Sequence, residues 1–363
     1  MIANTIDNDR PGATLVDQIR CSLYNSQDAG ASWSEVPAWP ETPLIRSLYD
    51  PWVAVGADGT MYATCIAIVP NGSGQVAFIK SIDQGLTWTP PTIVTPYDAT
   101  TGADKSVIEV GSDGRLLVCY RQASRVILSQ SLDQGLTWTT KSTGLNGHCA
   151  GISSAPGGYI TLAVMYGSSL TSYGTLTSSN NGTSWAAVRN LGTTVYGSSP
   201  SFPSIVRDYT GRTVITDVNS TAKQMTISTE ANNGSLLTQW QLTKPSSSTC
   251  SSGRLVHPQL TIAPNRLPAL QVMCKISPTT TTAGKQEIWF YPVINQSNNS
   301  SAPILVNSTD LPPQSPPVAG SLASRFPDGG YFWDFTWRAD GWVSMWIDPR
   351  QGKGIGELMA APV

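Results

Sequence analysis

Charge is scarce in this chain of 363 residues. Asp, Glu, Lys and Arg together make up 13% of it, the net charge is −2, and only two histidines occur. The cations form no stripe, so nucleic acid is not an expected partner. No run of eighteen apolar residues is present, which removes a membrane-spanning helix from the expectations. The opening "MIANTIDNDRPG" is polar and does not read as a signal peptide. Glutamate is rare, with only Glu35, Glu41, Glu109, Glu230, Glu287 and Glu357 in the whole chain. The six cysteines show no Cys-x-x-Cys and no Cys/His spacing, so disulfides are favoured over zinc. Cys119–Cys149 and Cys250–Cys274 are the pairings that neighbouring repeat units suggest. No metal or cofactor motif is visible, and none is expected.

Turn-forming residues are abundant instead, with 32 glycines and 26 prolines spread evenly along the chain. That scatter predicts short strands joined by tight turns in one repetitive all-β domain over 13–363, after an N-terminal extension over 1–12. Eight Asn-x-Ser/Thr sequons, at Asn71, Asn181, Asn219, Asn233, Asn295, Asn298, Asn299 and Asn307, join the even cysteine count in pointing to a secreted glycoprotein.

Two nonamers, "SIDQGLTWT" from Ser81 and "SLDQGLTWT" from Ser131, are nearly identical, and "SQDAGASW" (26–33) and "SSNNGTSW" (178–185) share their pattern. A decayed copy is "STEANNGS" from Ser228. Starts at 26, 81, 131 and 178 give a period near fifty, the length of a four-stranded propeller blade. The pattern has the physics of a turn. Asp or Asn binds backbone amides just ahead, Gly takes a positive φ, and Trp buries its ring between blades. A second repeat consists of apolar strands running into hairpins, as in "DPWVAVGADGTMYATC" and "KSVIEVGSDGRLLVCY". Six such hairpins predict a six-bladed β-propeller, the N-terminal strands completing the last blade begun by Phe332–Ile347. Seven blades stay open if 297–330 holds another.

Ser-x-Asp-x-Gly-x-Thr-Trp turns once per blade resemble the Asp-box (BNR) repeats of the sialidase superfamily, over roughly 13–363. The resemblance implies that these turns lie opposite the active centre, so Asp28, Asp83 and Asp133 are structural. It also implies a catalytic mouth built from the starts of inner strands and the ends of their partners. Aligned on their hairpins, the inner strands open at Asp50, Lys105, His148, Phe202, His257 and Phe332, a level that contains both histidines. Asp50, Phe202 and His257 precede prolines, which predicts an extended backbone there. The second strands end at Arg121, Tyr166, Asp217, Lys275 and Asp348, while Arg254, Tyr331, Trp333 and Asp334 flank the fifth and sixth strand starts. Carboxylates, cations, imidazoles and flat rings together make the inventory of a sugar site. Each has a structural competitor: strand capping for Asp50, core packing for the aromatics, a solvated rim for the cations, an outward strand face for Glu109.

The candidate catalytic residues are therefore Asp50, His148, Asp217, His257, Tyr331 and Asp334. Lys105, Arg121, Tyr166, Arg254, Lys275 and Trp333 are the candidate substrate-binding residues. Sialic acid fits poorly, because Asp50 stands where the resemblance calls for the first carboxylate-binding arginine. The expectation is a secreted, monomeric, exo-acting glycoside hydrolase on another oligo- or polysaccharide, with two carboxyls flanking the bond. One alternative is a lyase that uses His or Tyr for β-elimination at a uronic acid; the other is a glycan-binding lectin.

Overall fold

The computed structural model describes residues 2–6, 19–28, 32–36, 39, 45–95, 101–194, 201–219, 221, 223–263, 265–277, 279, 281–294, 302–311, 335–338, 341–348 and 357–362. They form antiparallel sheets in which each strand lies beside its sequence neighbour. The first sheet holds β1 (Ile2–Ile6), β2 (Ile19–Asn25) and β3 (Ser34–Val36). The second holds β4 (Ser47–Val55), β5 (Met61–Ile68), β6 (Gly74–Ser81) and β7 (Thr92–Ile93). A seven-stranded sheet follows with β8 (Ala103–Val110), β9 (Leu116–Gln122), β10 (Arg125–Ser131), β11 (Thr139–Ala155), β12 (Tyr159–Tyr166), β13 (Ser172–Ser178) and β14 (Arg189–Thr193). Next come β15 (Ser204–Arg207), β16 (Thr213–Val218), β17 (Met225–Glu230) and β18 (Leu236–Leu242), then the short helix α1 (Ser248–Ser252). The last two sheets are β19 (Arg254–Ile262), β20 (Pro268–Ile276), β21 (Gly284–Tyr291) and β22 (Ile304–Leu311), and β23 (Phe335–Arg338), β24 (Gly341–Asp348) and β25 (Glu357–Pro362). The seven-stranded sheet arises because β11 serves twice. Its first half, Thr139–Asn146, pairs with β10, and β12 is its other neighbour.

The chain divides into two compact units, one of Met1–Val164 with Leu176–Val188, the other of Met165–Thr175 with Arg189–Val363. In each, the core lies between successive sheets. Tyr62, Ile66, Val76 and Phe78 of the second sheet pack on Ile108, Leu116, Val118 and Tyr120 of β8 and β9. In the other unit Val214, Met225 and Ile227 pack on Leu255, Leu270 and Val272. Strands covered on both faces explain the continuous apolar runs of the sequence.

The termini depart from expectation. Ile2–Ile6, assigned to an extension, pair with Ile19–Leu23. Among the described residues β24 takes β23 and β25 as neighbours, so the N-terminal strands do not complete that sheet. Each terminal segment finds a partner close to itself in sequence, which costs less loop-closure entropy than pairing the two ends of the chain.

The four repeat turns share one hydrogen-bond pattern. Ser81 Oγ donates to Asp83 Oδ1 (2.8 Å), which also accepts the Thr87 amide (2.9 Å), while Asp83 Oδ2 accepts Thr87 Oγ1 (2.5 Å). Ser131, Asp133 and Thr137 repeat these bonds, as do Ser26, Asp28 and Ser32; Ser178, Asn180 and Ser184 keep the first two, while Asn180 Nδ2 donates to Ser184 Oγ. The hydroxyl and amide donors hold Asp83 and Asp133 at about 2. Each later turn is also bound by the preceding repeat. Asn25 Nδ2 donates to Gln84 O (2.7 Å), Lys80 Nζ to Gln134 O (3.5 Å) and Gln130 Nε2 to Asn181 O (2.8 Å). Trp138 meets Phe78 edge-on, with ring centroids 5.3 Å apart. The segment from Ser228 differs. Glu230 turns inward to accept from Thr175 Oγ1 (2.8 Å) and pair with Arg189, leaving an ordinary hairpin beyond it.

Gly135 shows how tightly the turns fit. Its φ is +87°, and an added Cβ would fall against the Phe78 ring. Gly135→Ala is expected to destabilise by about 2–4 kcal/mol, from overpacking plus left-handed strain. Gly114, with φ +77° and open space around it, should cost about 1 kcal/mol on the same change. Urea denaturation of the two variants would test the difference.

Three disulfides join Cys21 to Cys65, Cys119 to Cys149 and Cys250 to Cys274. The latter two are the pairs suggested by neighbouring repeats. Among the described residues no helix is long and apolar enough to cross a membrane.

Candidate active site

Three of the residues placed at the starts of inner strands share an unusual backbone. Asp50, Lys105 and His257 have φ of +49°, +56° and +52°. At each the strand pairing shifts register, between Tyr49 and Trp52, Asp104 and Val107, and Val256 and Gln259. These are β-bulges, which leave ladder positions unpaired and re-aim side chains. The extended conformation expected ahead of Pro51 and Pro258 is therefore not adopted. Proline offers no amide to the ladder, so a bulge there sacrifices no donor, and the packed sheet holds the left-handed residue in place. A non-glycine residue in this region costs about 1–3 kcal/mol, and such strain clusters at functional sites.

In the first unit four sequence-predicted residues come together. Asp50, 8% exposed, lies against Lys105, whose Nζ stands 3.3 Å from Oδ1 and 3.2 Å from Oδ2. Burial pushes the Asp50 carboxyl up, Lys105 pulls it down less strongly, and neighbouring Asp104 raises it again. His148 is buried on β11, where burial and then the charges of Arg121 and Lys105 lower its imidazole to about 4, opposed by Asp50. It is therefore neutral at pH 7. The Cys119–Cys149 bond ties β9 to β11 directly beside Arg121 and His148. The outcome is a buried acid, two cations and a neutral imidazole within electrostatic reach of one another.

The second unit holds the other described candidates. His257 is buried at its bulge, and Arg254 and Lys275 face each other as register partners on β19 and β20. Asp217, fully buried on β16, accepts from Ser201 Oγ (2.8 Å) and the Val218 amide (2.7 Å) at Oδ1, while Oδ2 has no hydrogen-bond partner among the described residues. Burial raises it to about 7, against the lowering effect of Thr194, Ser201 and the Val218 amide. Tyr166 is half-buried at the end of β12, and Phe202 is buried. Tyr331, Phe332, Trp333 and Asp334 lie outside the described residues. Glu109 is half-buried on β8. Sequence reasoning missed Asp104. The signal was the Asp104-Lys105 doublet, two charges in succession at the start of β8.

No family model and no curated protein matches the chain. Solved structures do. The Hadza microbial sialidase Hz136 superposes with a TM-score of 0.54 at 16% identity, over 72% of this chain and 58% of that one. The NanB sialidase from Streptococcus pneumoniae gives 0.53 at 12%, over 85% and 65%. A protein of unknown function from Dyadobacter fermentans gives 0.53 at 13%, over 90% and 96%. The fold is sialidase-like and all-β. The chain spans about three-fifths of the length of the first two relatives.

Proposed function

We propose that the chain is a secreted, exo-acting glycoside hydrolase whose substrate is an oligo- or polysaccharide other than sialic acid. On this reading its six inner hairpins are the blades of one β-propeller, and the three disulfides and the sequons suit an extracellular glycoprotein. The observation that carries the reading is Asp50, a buried carboxyl whose proton affinity is raised by its surroundings, set at a strained bulge beside Lys105, Arg121 and His148. A carboxyl whose proton affinity is raised by burial is suited to donate a proton to a leaving glycosidic oxygen. Asp217 and Asp334 are the proposed sources of the second carboxyl, as base or nucleophile. Arg121, Lys105, Arg254 and Lys275 would bind hydroxyls or acidic groups, with Tyr166, Tyr331 and Trp333 as stacking surfaces. Sialic acid is set aside because Asp50 replaces the arginine that would hold its carboxylate.

A specific observation favours one second reading. His148 is neutral next to two cations, the arrangement needed to hold a uronate carboxylate and remove its C5 proton, and His257 would then join it in β-elimination. A panel of plant and microbial polysaccharides separates the two. Reducing ends released without the ultraviolet absorbance of unsaturated uronates support hydrolysis, and absorbance supports elimination. Retention on a glycan with neither product would make the protein a lectin and overturn the enzyme reading. In the hydrolase case kcat/KM should fall as pH rises through the titration of Asp50, because the deprotonated acid has nothing to donate.

A further inference from the structure

We infer that the groove between the segment entering β17 and the end of β18 is a binding subsite for an acidic saccharide, whose carboxylate or sulfate groups are held by Lys223 and Lys244. That this subsite serves turnover rests on the glycoside hydrolase reading; the binding itself does not.

The groove encloses about 640 Å³, within the range of about 300–1,000 Å³ usual for small-ligand sites. Thr221, Lys223 and Gln224 line it ahead of β17, and Gln241, Thr243 and Lys244 line it at the end of β18, with Leu242 as its one apolar member. Among the described residues no aromatic ring and no carboxylate lines it. Neutral sugars are gripped largely through ring faces, which this groove lacks. Two ammonium groups set among amides and hydroxyls suit a ligand that carries negative charge and hydroxyls together. A nucleic acid fits less well, because nothing here offers a surface for its bases to stack on.

The two ammonium groups are held by a helix rather than by acids. Lys223 Nζ donates to Ser252 O (3.0 Å) and to Gly253 O, and Lys244 Nζ donates to Cys250 O (3.5 Å), all at the C-terminal end of α1. Carbonyls orient a cation without cancelling its charge, and an ammonium has three donors, so each lysine keeps at least one for a ligand. Among the described residues neither lysine enters an ion pair. Both are half-buried, which weakens screening by salt.

The helix is itself locked in place. Ser247 Oγ accepts the Cys250 amide (3.0 Å), and Cys250 is bonded to Cys274 of β20. Glu287 of β21 accepts from Ser247 Oγ (2.6 Å) and Thr249 Oγ1 (2.8 Å). Its charge is matched by Trp289 Nε1 (3.0 Å) and Lys285 (3.5 Å) rather than by the groove. Gly253 fits so tightly that an added Cβ would lie 2.5 Å from both Thr249 O and Lys275 O. It leads directly into Arg254, the register partner of Lys275, and both are candidate substrate-binding cations. One stretch of backbone therefore sets out Lys244, Lys223 and Arg254 in order, an arrangement suited to a chain with negative charge on successive units.

The test is calorimetric titration with tetragalacturonate, a heparin tetrasaccharide and neutral cellotetraose, the first two separating carboxylate from sulfate recognition. Protein made in the bacterial periplasm forms its disulfides, and the Asn219 sequon, whose Oδ1 accepts Thr221 Oγ1 (2.9 Å), stays bare there. At least one acidic probe should bind about tenfold or more tighter than cellotetraose, and Lys223→Gln with Lys244→Gln should remove that advantage. The corresponding double arginine variant should keep it, and Lys141→Gln on β11 should match the wild type. No preference for an acidic probe, or a preference untouched by the glutamine pair, overturns the proposal. Equally tight binding of octathymidylate does the same. If the glutamine variant does not fold, amide spectra of the 15N-labelled wild type decide. The side-chain signals of Gln224 and Gln241 must shift with the acidic probe, and stationary signals refute the subsite. On any polysaccharide that is turned over, the glutamine pair should raise KM and leave kcat unchanged. An acidic probe bound in the groove without turnover of any polysaccharide removes the hydrolase reading and keeps the subsite. Turnover with KM and binding indifferent to both lysines removes the subsite alone.

Discussion

Asp217→Asn is expected to stabilise the protein at pH 8 by about 2–3 kcal/mol, and the gain should turn into a loss of about 1–2 kcal/mol near pH 4. Asp217 is fully buried, and burial outweighs the Thr194, Ser201 and Val218 donors to set its titration at about 7, against an ordinary 3.8. The folded chain therefore binds this proton more tightly than the unfolded chain. That contribution is complete below the unfolded value and is lost as pH rises towards 7. At about 1.4 kcal/mol per unit, the loss over the window is about 4 kcal/mol. Asparagine keeps the acceptor used by Ser201 and the Val218 amide and carries no charge at any pH. Its amide donors face the same surroundings as Oδ2, which has no partner among the described residues, and this takes back about 1–2 kcal/mol. Urea midpoints of both proteins at pH 4 and pH 8 provide the measurement. A stability difference independent of pH would show that Asp217 is not a strained acid. A residue retained at such a cost is a reasonable place to look for the second catalytic carboxyl, and turnover by the stabilised variant would be informative in its own right.

The second large effect is on rate. Asp50→Asn should lower kcat/KM by about 10²–10⁴, the usual contribution of a positioned general acid, while thermal stability is retained. Asparagine fits the same bulge and can accept from Lys105 Nζ, so the geometry around 3.2 Å need not change. The loss should persist at every pH, because no proton is available to donate. Under β-elimination the ranking reverses. His148→Ala would then abolish product and Asp50→Asn would retain most of it. An Asp50→Asn enzyme with wild-type hydrolytic activity would remove Asp50 from the chemistry altogether.

Much of the scaffold was legible because its signals are local. The Ser-x-Asp-x-Gly-x-Thr-Trp turns fold as their hydrogen-bonding groups dictate, and aligning the hairpins brought Asp50, Lys105 and His257 to one level, where each sits on a bulge. The bulges themselves were not legible. Proline chemistry predicts an extended residue at Asp50 and His257, and only the packed sheets make the left-handed one tolerable. Glu230 was misread as a decayed turn aspartate, whereas its longer side chain reaches Thr175 and Arg189 instead. Local chemistry was readable; what depends on contacts between strands was not.

The bonds from Asn25, Lys80 and Gln130 to the next turn carry one more consequence. Each ends on a backbone carbonyl, an acceptor that every residue has, and three different side chains serve as donor. Such a joint is indifferent to the identity of the module on its far side. A recombination event that duplicated or exchanged one fifty-residue repeat would inherit a working connection at once, leaving mutation free to specialise the opposite ends of the strands.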